Sequence, residues 1–197
     1  MSRYIIVFVL CLLAASCRPP VYSPKPAGYY HIDLPTQHTY QLFDRPGFPY
    51  TFEYPTYSNI EQDTMFFNEK PENPYWINID FPDLGGKINI TYKVISATQP
   101  YDKLLEDTHK LSYFHDKKAD NITPETFANP NGVSGVLFYV SGNAASSYQF
   151  MASDSVKHFI HGALYFDVTP NADSLKPVTD FISEDIRHML MTMKWRN

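Results

Sequence analysis

Two neighbouring segments in which apolar and polar residues alternate constrain the fold of this chain most. Their apolar positions are Ile77, Ile79 and Phe81 in the first and Ile88, Ile90, Tyr92 and Val94 in the second. Successive side chains of a strand point to opposite faces, so each segment is expected to form a strand with one buried face. The residues at 82–86, Pro-Asp-Leu-Gly-Gly, suit a turn. The pattern therefore predicts a β-hairpin in the middle of the chain.

Two other segments have helical spacing. The first has Tyr101, Leu104, Leu105, Thr108 and Leu111, and the second has Val178, Ile182, Ile186, Met189 and Met193. Because residues three or four apart share one face of a helix, the first stripe predicts a helix over residues 100–116. The second predicts a helix over residues 177–195, begun by Asp173-Ser174 or by Pro177 itself.

The residues between these helices predict a second group of strands. The apolar run at 136–140 is typical of a strand in the centre of a sheet. Residues 147–153 and 157–168 predict two more strands around a tight turn. Upstream of the hairpin, the prolines and aromatic residues of 29–55 suit edge strands, and residues 57–74 suit a polar loop. The predicted fold class is α+β, with a mainly antiparallel sheet and two main helices.

The N-terminal segment has the layout of a secretory leader. Arg3 precedes an apolar run at 4–13, and small residues at 14–16 precede Cys17. The run is shorter than the roughly 20 apolar residues that span a bilayer. Small residues before a cysteine resemble the lipobox of bacterial lipoproteins, although Ala14 stands where that motif usually has Leu. Cys17 is therefore the predicted lipidation site, and cleavage without lipid is the alternative.

The same segment predicts the domain organisation. Residues 1–16 are a signal peptide, 17–28 are the lipidated cysteine with a tether, and 29–197 are a single α+β domain, since 197 residues suit one core. Four prolines in the tether favour an extended chain. Residue 18 is Arg rather than the Asp that retains some bacterial lipoproteins at the inner membrane. No acidic cluster of the kind that directs some lipoproteins to the cell surface follows Cys17. The protein is therefore expected at the outer membrane, facing the periplasm.

Composition excludes several classes of function. Both cysteines, Cys11 and Cys17, lie in the N-terminal segment, so the domain has no disulfide, thiolate metal site or cysteine nucleophile. With 16 Lys and Arg and a net charge of −5, the chain is not recruited by nucleic acid or by anionic lipid. No glycine-rich phosphate loop is present, and we predict no cofactor. Attachment to a membrane is expected through N-terminal acyl chains.

The sequence also lacks a recognisable catalytic set. Residues 141–147 contain serine and glycine without the Gly-x-Ser-x-Gly spacing of a nucleophile elbow. His158 and His161 are three apart on a predicted strand, so they point to opposite faces and no metal site is predicted. The protein is therefore predicted not to be an enzyme.

One polar segment remains as a possible interaction loop. Its residues are Gly142, Asn143, Ser146, Gln149 and His158. They suit a buried hydrogen-bond network that holds a tight loop against the sheet. They also suit a recognition groove, since small residues let the backbone of a partner approach closely. An envelope hydrolase or a small-ligand-binding lipoprotein with a site between Ser141 and His158 is the alternative function.

Several motifs resemble GldD, the gliding-motility lipoprotein family of Bacteroidetes. They are Pro24-Lys25-Pro26, Pro49-Tyr50, Asn78-Ile79-Asp80-Phe81-Pro82, Gly142-Asn143-Ala144-Ala145-Ser146, Gln149-Phe150, Asp154-Ser155, His158-Phe159, Gly162-Ala163-Leu164-Tyr165-Phe166, Asp185-Ile186-Arg187 and the region of Trp195. The resemblance implies a lipid-anchored, non-enzymatic accessory or assembly factor of the gliding machinery and the type IX protein secretion system. It implies partners among the other envelope proteins of these systems. The lipidated cysteine is the only functional residue of the family that the resemblance identifies in this chain, at Cys17. The order of elements is also similar to the PsbP/Mog1 type of α/β sandwich.

Three tripeptides resemble the Asp-Ser/Thr-apolar acceptor of O-glycosylation in Bacteroidetes. They place possible glycosylation sites at Thr64, Ser155 and Ser174.

Overall fold

The computed structural model describes residues 32–64, 70–113 and 119–196. Within these ranges the strands are β1 (Tyr40–Phe43), β2 (Tyr50–Pro55), β3 (Asn59–Gln62), β4 (Ile77–Phe81), β5 (Gly86–Val94), β6 (Ala119–Ala128), β7 (Ser134–Gly142), β8 (Ser146–Ser153), β9 (His158–Phe166) and β10 (Lys194–Trp195). The helices are α1 (Tyr101–Tyr113) and α2 (Ala172–Thr192), with a short 3-10 helix at Pro82–Leu84. The predicted signal peptide, Cys17 and the tether lie outside the described residues.

Seven strands form one antiparallel sheet in the order β3-β4-β5-β9-β8-β7-β6. The predicted hairpin is β4–β5, in which Ile77 pairs with Ile90 and Ile79 with Ile88. Gly85, at φ 59°, turns the chain after the 3-10 helix, a conformation that favours glycine. The prediction of this hairpin is confirmed.

The central strand of this sheet is β9. The prediction that the apolar run at 136–140 forms the central strand was wrong. That run belongs to β7, which is second from the edge because β6 pairs with its outer side. β7 is apolar because both of its faces are covered, with Leu137 buried on one side and Phe138 on the other. The side chains of β6 are mostly exposed, so this strand has no apolar period in the sequence.

A second, three-stranded antiparallel sheet has the order β1-β2-β10. β10 pairs Trp195 with Tyr50, so the closing helix does not extend to residue 195 as predicted. The predicted polar loop at 57–74 contains β3, whose four residues pair with β4. Residues 65–69 of that loop lie outside the described residues.

Most of the core lies between one face of the large sheet and a layer made of α2 and the small sheet. Phe52, Phe150, Ile182 and Ile186 are fully enclosed there. Burial of each such side chain contributes about 1.5–3 kcal/mol. Gly162 makes room for the ring of Phe150, because a Cβ at residue 162 would lie 2.1 Å from Cζ of that ring.

The other face of the large sheet carries α1 over a smaller cluster. Leu104 of α1 packs there with Met151 and Phe159. α1 was predicted over 100–116, and it is described to Tyr113, with residues 114–116 outside the described part. None of the helices in the three described ranges is long and apolar enough to cross a membrane.

α2 begins earlier than predicted, at Ala172. The Asn171 side chain caps it by accepting a hydrogen bond from the Ser174 backbone N–H, which satisfies one of the free donors of the first turn. Pro177 therefore lies inside the helix rather than at its start. The α+β class, with a mainly antiparallel sheet and two main helices, is confirmed.

Candidate functional site

A recess of about 230 Å³ lies between the β7–β8 connection and the first turns of α2. Tyr139 and Phe166 line it from the sheet, Gly142 and Ala144 from the connection, and Thr179 from the helix. We take this recess as the candidate functional site because it contains the beginning of the predicted interaction loop.

Gly142 packs closely against β6 and Asn143 bonds to α2, and together they fix the position of the β7–β8 connection. Gly142 has φ 92°, and a Cβ there would lie 2.8 Å from the backbone nitrogen of Asp120 on β6, so glycine lets the two strands close up. The Asn143 Oδ1 atom then accepts a hydrogen bond from the backbone N–H of Ala172 at 2.9 Å. The connection thus supplies a second cap for α2 and fixes one wall of the recess.

The recess is acidic. Asp120, Asp173 and Asp180 line it together with one cation, Lys176. Lys176 donates a hydrogen bond from Nζ to Asp180 Oδ2 at 2.7 Å, and this bond raises the pKa of the lysine. Two carboxylates are left in excess, so the electrostatic field in the recess favours a cation.

Ser146 and Gln149 follow in β8, and both are buried. The Ser146 Oγ atom donates to the backbone oxygen of Tyr148 at 3.1 Å. The Gln149 side chain is 2% exposed, and its Nε2 atom has no hydrogen-bond partner in the described part of the chain. These two side chains therefore lie inside the domain and not on the surface of the loop.

His158 is also buried, at the start of β9. Its Nδ1 atom lies 2.7 Å from the hydroxyl oxygen of Tyr92, and its ring stacks on Trp195 with centroids 5.0 Å apart. Burial lowers the pKa of His158, so the ring favours its neutral form. Its backbone N–H, like those of the two preceding residues, donates to Asp154 Oδ1.

The structure does not bring Ser141 and His158 together. Ser141 lies near the C-terminal end of β7 and donates from Oγ to the backbone oxygen of Asn121. His158 lies beside Ser153, which pairs with the opposite end of β7. Seven residues of strand separate the two positions, which is roughly 20 Å. A base at this distance cannot activate a serine hydroxyl, since proton abstraction needs hydrogen-bond contact.

His161 points away from His158, as expected for residues three apart on a strand. It lies on the α1 side of the sheet, with Phe159, whereas the partner of His158, Tyr92, belongs to the main core. In residues 32–64, 70–113 and 119–196, no three His, Cys, Asp or Glu side chains are grouped so that they could hold a metal ion.

The three predicted glycosylation sites differ in exposure. Thr64 and Ser155 are exposed, and Ser155 lies in a tight turn at φ 62°. Ser174 is partly buried in the first turn of α2. Modification at these positions stays a prediction, as does lipidation at Cys17.

A cluster around the buried carboxylate of Asp185 was not predicted. This group accepts hydrogen bonds from His38 Nδ1 at 2.7 Å, from the Tyr57 hydroxyl at 2.6 Å and from the Tyr40 hydroxyl at 3.1 Å. His38 also places Nε2 3.1 Å from Glu184 Oε2. Burial, together with the nearby Asp185 carboxylate, raises the pKa of both tyrosines. We call these five residues the Asp185 cluster.

One signal in the sequence points to this cluster. Asp185 lies three residues after Ile182 and four before Met189, on the apolar face of α2. A carboxylate on a buried helix face needs partners, because an unpaired buried charge is very costly. The partners themselves are 128 to 147 residues away, so no local pattern identifies them.

Comparisons with known proteins identify the family of this chain. The chain is similar to the solution structure of cyanobacterial PsbP (CyanoP) from Synechocystis sp. PCC 6803, at 10% identity and a TM-score of 0.48 over 90% of this chain and 99% of that chain. No curated protein sequence matches it significantly. The model of the family described as gliding motility lipoprotein GldD matches residues 20–195, nearly the whole chain, which confirms the predicted resemblance. The chain therefore belongs to the GldD family, lipoproteins of the cell envelope that take part in gliding motility.

Proposed function

We propose that this protein is a lipid-anchored, non-enzymatic accessory or assembly factor of the gliding machinery and of the type IX protein secretion system. The family match over residues 20–195 carries the proposal. We further propose that residues 1–16 are removed as a signal peptide, and that residues 17–28 tether the domain at 29–197.

Attachment through acyl chains on Cys17 is the second part of the proposal. Removal of residues 1–16 takes away one charged residue, Arg3, and leaves 15 basic and 21 acidic residues, a net charge of −6. Such a chain gains nothing from anionic lipid head groups. Two acyl chains are sufficient for stable anchoring, and we place the domain at the outer membrane, facing the periplasm.

The chemistry of the recess supports a binding role rather than a catalytic one. Its polar groups are carboxylates, hydroxyls, the Asn171 amide and one lysine that already pairs with Asp180. The buried His158 is held by Tyr92 and lies well away from Ser141. His158 therefore cannot act as a general base on the Ser141 hydroxyl.

The size of the recess favours a second candidate function, the binding of a small ligand. A volume of about 230 Å³ beside Ser141 and Gly142 can hold a few non-hydrogen atoms of a ligand. Small-molecule sites are usually concave and combine apolar walls with a few polar groups, as here. The hydrolase version of this alternative requires a nucleophile between Ser141 and His158, and the serines of that segment that line the recess are Ser141 and Ser147.

Deletion of the gene followed by complementation tests the proposal. The deletion strain should lose colony spreading and secretion through the type IX system together, and the wild-type gene should restore both. A Ser141→Ala gene should restore both equally well, because the hydroxyl makes one partly exposed hydrogen bond. Normal secretion in the deletion strain refutes the link to type IX secretion. Failure of Ser141→Ala, at normal protein level, supports the hydrolase instead.

A further inference from the structure

Two further cavities continue the recess along one side of α2. The first, of about 200 Å³, shares Tyr139 with the recess, and the second, of about 190 Å³, shares Glu125, Leu137 and Arg187 with the first. We call the recess and these two cavities the α2 trough. It runs between α2 and the β6–β7 hairpin.

The floor of the α2 trough is apolar and aromatic. Leu137 and Tyr139 of β7, Tyr148 of β8 and Phe127 of β6 line the two cavities. The ring centroids of Tyr139 and Tyr148 lie 5.2 Å apart, so these two side chains already pack against each other before a ligand binds. Aromatic side chains of this kind are enriched where proteins bind other proteins.

An ion pair between Arg187 and Glu125 crosses the trough between its two smaller cavities. Arg187 Nη1 and Nη2 donate to Glu125 Oε1 and Oε2 at 2.6 and 2.7 Å, a bidentate pair that ties α2 to β6. Both side chains are about half exposed, at 46% and 54%. An ion pair this exposed contributes little to the free energy of folding. Its bidentate geometry fixes the distance between α2 and β6, and with it the width of the trough.

The length of the trough suits a short peptide segment. Its wall on α2 extends from Ala172 in the recess to Met191 in the last cavity. At 1.5 Å per residue this wall is about 28 Å long, which corresponds to roughly eight residues of extended chain.

The free edge of β6 is a poor site for an added strand. Pro124 lies in the middle of β6, where it pairs with Phe138 of β7. Because proline has no N–H to donate, its nitrogen faces the free edge and interrupts the row of donors that another strand would need. Binding at this side of the molecule therefore depends on the α2 trough and not on strand addition.

We propose that the α2 trough binds an extended segment of a partner protein that carries one basic and two large apolar side chains. The excess carboxylates of the recess, Asp120 and Asp173, bind the basic residue. The two apolar side chains enter the cavities on either side of the ion pair between Arg187 and Glu125. The proposal rests on the binding role proposed above and names the chemistry of the partner.

Selection of a displayed library of random peptides on the purified mature chain tests this proposal. Enriched peptides should combine Lys or Arg with two large apolar residues. Thr123 is an exposed residue of β6 that lines one of the smaller cavities. Thr123→Arg fills this cavity, and we expect it to weaken peptide binding at least about tenfold in fluorescence anisotropy. The double variant Asp120→Asn with Asp173→Asn removes the two carboxylates proposed to bind the basic residue, and it should weaken binding about threefold.

A matched control is Asp102→Asn, which removes an exposed carboxylate from the first turn of α1 on the other face of the sheet. It should leave peptide binding unchanged. The proposal is overturned if no peptide is enriched, if the enriched peptides are acidic, or if Thr123→Arg binds them as well as the wild type does. Self-association of the mature chain that Thr123→Arg abolishes also overturns it, in favour of a second copy as the occupant. None of these outcomes affects the deletion phenotype, which tests the proposed function separately.

Discussion

At the scale of single residues, His161 is a histidine whose ionisation is strongly altered by the fold. Burial, aided by the charge of Lys93, lowers the pKa of its ring to about 4. Its Nε2 atom is enclosed without a hydrogen-bond partner in the described ranges. In an unfolded chain a histidine has a pKa of about 6.5. Between these two values the unfolded state binds more protons than the folded state, so the folded state loses stability as the pH falls.

The variant His161→Gln removes this dependence. Between pH 7 and pH 5 the free energy of unfolding of the wild type should fall by about 2 kcal/mol more than that of the variant, because the wild-type unfolded chain gains a proton that the fold excludes. Urea denaturation of the mature chain at both pH values measures the difference. Parallel losses in the two proteins would contradict the lowered pKa.

At the scale of elements, the Asp185 cluster is the polar joint between α2 and the N-terminal part of the domain. Tyr40 belongs to β1 and Tyr57 to the turn between β2 and β3, and both donate to Asp185 of α2. The joint continues at His188, which stacks on Tyr40 at 3.6 Å and lies 2.7 Å from Glu53 Oε2 of β2. These contacts hold the small sheet on the helix.

Asp185→Asn tests this joint with almost no change in shape. Removal of a buried charge that accepts three hydrogen bonds should lower the free energy of unfolding by about 2 kcal/mol or more. Asp180→Asn is the matched control on the same helix, where loss of an exposed ion pair with Lys176 should lower the free energy of unfolding far less. Equal urea midpoints for the two variants would show that the cluster does not hold the elements together.

The elements differ in how far the sequence predicts them. The β4–β5 hairpin and both helices follow from apolar periodicity, because each buries one face. β6 has mostly exposed side chains and a central proline, so nothing in its sequence distinguishes it from a loop. The strand at 136–140 was expected in the centre of the sheet, where it does not lie. An apolar run arises wherever both faces of a strand are covered, so it does not indicate the position of the strand within the sheet.

The sequence points to the candidate site only where neighbouring residues form it, because a local pattern does not contain contacts between distant segments. Gly142 lines the recess and Asn143 bonds to Ala172 beside it, since small and polar residues suit a tight connection. Gln149 and His158 lie close to them in sequence, but the strands carry their side chains into the interior. The acidic wall on α2 and the pairing of Arg187 with Glu125 depend on contacts between distant segments, and no local pattern contains them.

At the scale of the whole molecule, we propose an acidic domain that lipid holds at a membrane and that acts through what it binds. The net charge of −5 gives no attraction to anionic lipid. We therefore propose that membrane attachment depends on acyl chains at Cys17. Cys11 provides a matched control, because it lies in the proposed leader and should carry no lipid.

Metabolic labelling with a palmitate analogue, combined with membrane fractionation and a spreading assay, tests whether Cys17 anchors the protein. The deletion strain is complemented with the wild-type, Cys11→Ala or Cys17→Ala gene. We expect labelled, membrane-bound protein and full spreading for the first two genes. For Cys17→Ala we expect unlabelled protein and no spreading. Unlabelled wild-type protein, or full spreading supported by soluble Cys17→Ala protein, would contradict the proposed lipid anchor.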